Sequence, residues 1–183
     1  VVAWYNDPQT LGKHKSDLCR LVQLYREGGV YVDNDLELLM PLPMELLRAD
    51  MATVLSVDPG TIFQALVAAV PQHWIVLKSL TLFVEVIRGK YTPRGWIGPT
   101  TMYDAMGTNR SEVYFLHEKH AYITGRKRSD ACDFVVQTNN GTVLAHSRVA
   151  TWGNVDRFKT SCYIRPPAPK HAQKPLYAPS MPS

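Results

Sequence analysis

Lys15-Ser16-Asp17-Leu18-Cys19-Arg20, followed by Gly28-Gly29-Val30-Tyr31-Val32-Asp33-Asn34-Asp35, is the stretch from which the fold and the chemistry of this chain are read. Leu18, Leu21, Val22 and Tyr25 fall at i, i+3, i+4 and i+7, which predicts an amphipathic helix from about Lys13 to Glu27. Gly28-Gly29 stops it, because glycine accepts the left-handed C-terminal conformation without a Cβ clash. Val30–Asp35 then reads as an extended segment. In a strand, Tyr31, Asp33 and Asp35 project to one side and Val30 and Val32 to the other. Two carboxylates about 6–7 Å apart on one face repel by about 2.5 kcal/mol at an effective dielectric of 20. A divalent cation bound through oxygen is the natural counter-charge. Asp17 and Arg20, three apart on the helix, stand next to each other at the edge of its apolar stripe.

Working outward, Val1–Tyr5 reads as a short strand closed by Asn6-Asp7-Pro8. Further along come a predicted strand at Met51–Val57 and helices near Thr61–Val70 and Trp74–Arg88. A loop runs from Tyr91 to Pro99, a short helix from Thr100 to Met106, and strands cover Val113–Leu116 and Asp133–Thr138. Asn140-Gly141 is a two-residue hairpin signal that sets Thr142–His146 antiparallel to the preceding strand. Trp74 and Phe83 are expected in the core. Helices and strands alternate early and a hairpin comes late, so the fold class is α/β. Residues 166–183 hold six of the thirteen prolines and read as an extended tail, leaving 1–165 as one domain.

Composition narrows the choice of chemistry. The 183 residues are 45% hydrophobic and 20% charged, ordinary for a globular domain. Twenty basic against sixteen acidic residues leave +4, and two of the lysines, Lys170 and Lys174, lie in the tail. That is too weak for a nucleic-acid face. The three cysteines, at 19, 132 and 162, contain no Cys-x-x-Cys pair, which excludes a zinc ribbon and a disulfide-framework miniprotein. No run of 18 apolar residues occurs. The chain opens on Val1 without the plan of a signal peptide, so the expectation is a segment of something longer, with any membrane anchor upstream.

Rival readings of the acidic stretch are weaker. Asp33, Asp35 and Glu37 resemble the start of a calcium loop, but position six would be Leu38 rather than Gly and position twelve Met44 rather than Glu. A phosphatase built on an aspartate pair lacks its additional His and Asp ligands. His117-Glu118-Lys119-His120 lacks the i, i+4 spacing of a zinc helix and reads as surface, as does Arg126-Lys127-Arg128. Asn109-Arg110-Ser111 and Asn140-Gly141-Thr142 match the N-glycosylation sequon.

The composite of Lys15, Ser16-Asp17, Arg20, Gly28-Gly29-Val30-Tyr31 and Asp33-Asn34-Asp35 resembles the sugar-binding region of family 32 glycosyltransferases. That group contains yeast initiating mannosyltransferases and α1,4-linkage enzymes. It is also similar to the glucosyltransferase domains of large clostridial toxins. Trp96-Ile97-Gly98-Pro99-Thr100 resembles the family's Thr-Gly-Pro segment, and Ala145-His146 through Thr151-Trp152 its closing His and Ser-Trp segment. Gln64 falls where the family has an Asn-containing helix, Ile97 replaces Thr and Thr151 replaces Ser.

The resemblance implies a type A glycosyltransferase fold, Rossmann-like, with a mixed central sheet between helices. It also implies that the opening nucleotide-binding strand lies upstream of Val1. The implied activity is metal-dependent, retaining transfer of a hexose or N-acetylhexosamine from a UDP- or GDP-sugar to a glycan, lipid or protein hydroxyl. Asp33 and Asp35 would hold Mn²⁺ or Mg²⁺, with His146 completing the shell. Asp17 and Arg20 would bind donor-sugar hydroxyls, with Tyr31, Gln64 and Gly98 at the same pocket and Trp152 capping the diphosphate. If eukaryotic and anchored upstream, such an enzyme works in the Golgi lumen; otherwise the resemblance leaves its compartment open. The alternative is a remnant that binds sugar or metal without catalysis, its donor site incomplete.

Overall fold

Seven strands and five helices follow one another in a computed structural model that describes residues 1–122 and 132–147. The order is α1 (Val2–Asn6), α2 (Gly12–Glu27), β1 (Gly29–Val32), β2 (Leu36–Leu38), α3 (Met44–Arg48), β3 (Met51–Leu55) and β4 (Ile62–Ala69). Then come α4 (Trp74–Ile87), α5 (Ile97–Met106), a 3-10 turn at Arg110–Glu112, β5 (Tyr114–Tyr122), β6 (Cys132–Gln137) and β7 (Val143–Ser147). The domain boundary placed at 165 and the Pro-rich tail fall outside the described residues. Among those residues no helix is long and apolar enough to cross a membrane.

The strands form one mixed sheet in the order β1-β4-β3-β5-β6-β7-β2. Only β3 and β5 pair in parallel; every other neighbour is antiparallel. β1 and β2 are therefore opposite edges, yet only residues 33–35 separate them. Four residue steps span at most about 14 Å, whereas six strand spacings across a flat sheet cover about 29 Å. The sheet must curl until its two edges approach each other, and the Asp33–Asp35 turn closes the gap.

Side chains alternate across the sheet and feed two cores. Met51, Val67 and Ala69 pack with Leu18, Leu21 and Leu24 of α2 and with α4 and α5. Ala52, Val54, Leu66 and Ala68 face the other way, onto Leu46 of α3, Leu116, Val136 and Leu144. Leu24 rather than Val22 completes the buried stripe of α2, and Val22 is 39% exposed. Gly28 ends that helix at φ +66°, and a Cβ there would lie 2.6 Å from Pro71 Cδ and 2.8 Å from the Ala69 carbonyl. Position 28 thus requires glycine for its conformation and for its closeness to β4.

Several expectations need correction. Val1–Tyr5 is not a strand: Val2–Asn6 forms a short helix whose Trp4 packs edge-on against Phe83, 5.8 Å between centroids. The predicted helix at Thr61–Val70 is the strand β4. Lying between β1 and β3 and covered on both faces, it presents an apolar run broken at Gln64, and such a run carries no period to distinguish strand from buried helix. Gln64 is accordingly on a strand. Phe83 is fully buried as expected, but Trp74 is 37% exposed and donates its indole N–H to Glu112. The hairpin holds, with Asn140-Gly141 joining β6 to β7 and Gly141 at φ +84°.

Candidate functional site

β1 ends at Val32, so Asp33 and Asp35 do not share a strand face; Asn34 and Asp35 occupy the turn that leads into β2. The Asp33 amide donates to the Ala65 carbonyl at 2.8 Å, which fixes the start of the turn against β4. β4 is irregular at that point. Thr53 pairs with Val67 but Val54 with Phe63, so residues 64–66 bulge from the β3 ladder while Leu66 pairs with Val32 of β1. Bulges re-aim side chains beside functional sites, and this one sets Gln64 next to Asp33 and α2.

Arg20 is the hub. Only 6% exposed, it donates from Nη1 to the Gln64 carbonyl at 2.8 Å. Its Nη2 lies 3.3 Å from Asp33 Oδ1 and 3.5 Å from Asp17 Oδ1. The guanidinium also stacks over the Tyr31 ring, 4.4 Å from its centroid, and the Tyr31 hydroxyl donates to Asp33 Oδ1 at 2.6 Å. One cation therefore bridges two carboxylates and a phenol. A surface ion pair is worth little; this one is buried and tied to the backbone.

Gly98, near the start of α5, completes the cluster. A Cβ there would lie 2.5 Å from both Asp17 Cγ and Gln64 Oε1, so only glycine admits these two side chains. The Gln64 amide donates to the Gly98 carbonyl at 3.1 Å, and the Gly98 N–H in turn bonds Asp17. Gln64 Oε1 and Arg20 Nε, both buried, have no hydrogen-bond partner among the described residues. Leaving such atoms bare is costly unless a ligand or solvent answers them. Burial pushes the Asp17 carboxyl up to about 6, against the opposing pull of Arg20 and with a further push from Asp33. Tyr31 is raised as well, first by burial and then by its bond to Asp33. His14 stands 3.9 Å from Asp17, too far for a hydrogen bond, and its Nδ1 is bare; burial and Lys13 lower its pKa.

Of the residues singled out from sequence, the fold gathers Asp17, Arg20, Tyr31, Asp33, Gln64 and Gly98. Asp35 sits exposed in the adjoining turn. His146, on β7, pairs with Glu37 of the edge strand β2, the residue two positions beyond Asp35. Trp152 lies outside the described residues. Among the described residues no three His, Cys, Asp or Glu side chains form a group able to hold a metal ion, so Asp33, Asp35 and His146 do not make one. Both contacts of Asp33 fall on Oδ1. Its Oδ2 and the exposed Asp35 carboxylate are hard oxygen donors of the kind Mn²⁺ and Mg²⁺ prefer.

Residues 2–53 match the family model for the glycosyltransferase sugar-binding region containing a DXD motif. The resemblance read from the sequence holds over that stretch. The match supports a glycosyltransferase, with a sugar donor and an acceptor as partners. It spans α1 to β3 and includes Asp17, Arg20, Tyr31, Asp33 and Asp35; Gln64, Gly98 and His146 lie beyond it. No curated protein matches the chain.

Sequence reasoning missed two features of this neighbourhood. Lys13 lies one helical turn before Asp17, and its Nζ sits 3.2 Å above the centroid of the Trp96 ring. The i, i+4 spacing and the closeness of Trp96 to Gly98 were the available signals. Glu118 of β5 is buried and accepts from Ser56 Oγ at 2.7 Å and the Val57 N–H at 3.0 Å, holding the loop that enters β4. Nothing local in the sequence marks a pairing across sixty positions.

Proposed function

We propose that this chain is the catalytic region of a metal-dependent, retaining glycosyltransferase of the type A fold. It moves a hexose or N-acetylhexosamine from a UDP- or GDP-sugar to a glycan, lipid or protein hydroxyl. The observation that carries the reading is the buried Arg20, which ties Asp17 of the helix to Asp33 of the Asp-x-Asp turn in one cluster. The family match over residues 2–53 supports it.

In this reading Asp33, through Oδ2, and Asp35 hold the metal, and Asp33 also contacts the ribose. Bound there, Mn²⁺ or Mg²⁺ neutralises the charge that grows on the departing diphosphate. Asp17 and Arg20 hydrogen-bond donor-sugar hydroxyls, and a hydroxyl in the same place answers the bare Gln64 Oε1. Gly98 leaves room for that contact and Tyr31 orients Asp33. His146 and Trp152 act on the diphosphate side. Retention of configuration needs no water-activating base, which accords with a cluster built to bind and orient.

The test is Asp35→Asn, assayed against panels of UDP- and GDP-sugars at saturating Mn²⁺. Asp35 packs against no core, so the fold survives, and turnover drops below about one tenth of wild type. Retention above that level contradicts Asp35 as a metal ligand.

A further inference from the structure

The two faces of the sheet are covered unequally. Helices of 16, 14 and 10 residues, α2, α4 and α5, pack on one face; among the described residues the other carries only the five-residue α3. Around α3 the cover runs out. Leu36, Leu42 and Leu46 pack into the second core, but Leu38, Leu39, Met40, Met44 and Leu47 stay 40% to 54% exposed. Leu38 lies two positions from Leu36 on β2, hence on the same strand face, at the rim of that core. Met44 and Leu47 are i, i+3 neighbours on α3. Pro41 and Pro43 stiffen the link between strand and helix. Five large apolar side chains this close in the chain form a contact surface, unlike the single apolar residues that any protein exposes.

Charge and reach select what covers it. Residues 36–50 contain Glu37, Glu45 and Asp50 against Arg48, a net −2. An anionic lipid surface, or the same patch of a second copy, is repelled by that sign. The chain itself holds the complement. Residues 155–165, outside the described residues, combine Val155, Phe158, Tyr163 and Ile164 with Arg157, Lys159 and Arg165 against Asp156, a net +2. They also start close by. β7 ends at Ser147, the residue paired with Leu36 of β2. Leu38 is about 7 Å along the strand from that point, and the eight residues from Ser147 to Val155 reach up to about 27 Å. The chain leaves β7 toward the Asp35 end of β2 and has to turn back, and Gly153-Asn154 is a two-residue turn signal. A tether this short gives an effective concentration in the millimolar range, above that of a separate partner.

We propose that residues 155–165 of this same chain dock on the apolar face of β2 and α3. Their apolar side chains cover Leu38, Leu39, Met40, Met44 and Leu47, and their basic ones lie toward Glu45 and Asp50. The inference is independent of the transferase reading. It concerns how the domain is completed: α3 and this segment together close the rim of the second core.

The experiment places the photoreactive p-benzoylphenylalanine at Leu47 in the full chain, irradiates dilute protein, and maps the cross-linked peptides by mass spectrometry. Leu47 is exposed, so the core is left intact. The cross-link falls within residues 155–165 of the same chain, and the same probe at Leu11, exposed at the N-cap of α2, does not reach them. Phe158→Asp lowers the Leu47 yield about tenfold, as the loss of one buried aromatic would. Glu45→Lys lowers it by up to about 5-fold, and Glu45→Asp keeps it. Cross-links to any other part of the chain, between two chains, or to phospholipid when anionic vesicles are added, each without one to 155–165, overturn the proposal. So does the lack of any cross-link, or a yield that Phe158→Asp leaves unchanged. No nucleotide or sugar enters the experiment, so its failure leaves the transferase reading untouched.

Discussion

Asp17 and Glu118 are both carboxylates withdrawn from water, and they are managed in opposite ways. Asp17 faces a cation, Arg20, which it shares with Asp33, and burial still pushes it up to about 6. Glu118 forms no salt bridge among the described residues; a hydroxyl and a backbone N–H hold it, and burial raises it too. The second arrangement is a tether: among the described residues both side-chain hydrogen bonds of Glu118 go to the loop entering β4. The first is an excess of negative charge around one guanidinium, beside bare polar atoms on Gln64 and Arg20. Glu118 sits in a satisfied arrangement, whereas the cluster around Asp17 leaves Gln64 Oε1 and Arg20 Nε without a hydrogen-bond partner among the described residues.

Removing the shared cation breaks this contrast most severely. Arg20→Met leaves Asp17 and Asp33 facing each other and strips the Gln64 carbonyl, at a cost of about 3–5 kcal/mol. Urea unfolding at pH 7.5 measures it, and a loss under about 1 kcal/mol would mean that Arg20 is solvated rather than bridging.

Glu118→Ala comes next. It orphans the Ser56 hydroxyl and the Val57 N–H, costing about 1–3 kcal/mol. Glu118→Gln, which keeps an oxygen acceptor, recovers most of that in the same unfolding measurement. Equal losses for Ala and Gln would show that the charge, not the two bonds, is what the loop needs.

Asp17→Asn has the smallest effect on stability and the opposite sign. Because the folded pKa, about 6, exceeds the ordinary 3.8, the folded protein keeps a proton that the unfolded chain releases. The stability that this proton confers is present below pH 3.8 and is lost as pH rises through 6. The ceiling is about 3 kcal/mol at 1.36 kcal/mol per tenfold. In metal-free protein Asp17→Asn is therefore more stable than wild type by about 1–2 kcal/mol at pH 8, and indistinguishable from it below about pH 4. Thermal unfolding across pH shows this as a gap that widens upward; a gap that narrows would refute the raised pKa.

Local chemistry was legible in the sequence and long-range placement was not. The stripe of α2, its stop at Gly28 and the Asn140-Gly141 hairpin rest on spacing and on backbone freedom, which neighbours do not override. β4 reads as a helix in the sequence because cores cover both of its faces and remove the alternation that would have identified a strand. The pairing of Asp17 with Arg20 follows from helical spacing. Their junction with Asp33 depends on the turn, and with Gln64 on a bulge, neither of which the run of residue types specifies. Asp33 and Asp35 were expected on one strand face, and the fold instead spends them on the step between two sheet edges.

Isothermal titration of UDP and GDP into wild type and Asp35→Asn, with and without Mn²⁺, tests the central claim most directly. A metal-dependent donor site on Asp33 and Asp35 predicts that one nucleotide binds wild type only with Mn²⁺ present, and that Asp35→Asn loses this binding. Nucleotide binding that ignores Mn²⁺, that survives in Asp35→Asn, or that is missing from wild type altogether would contradict it.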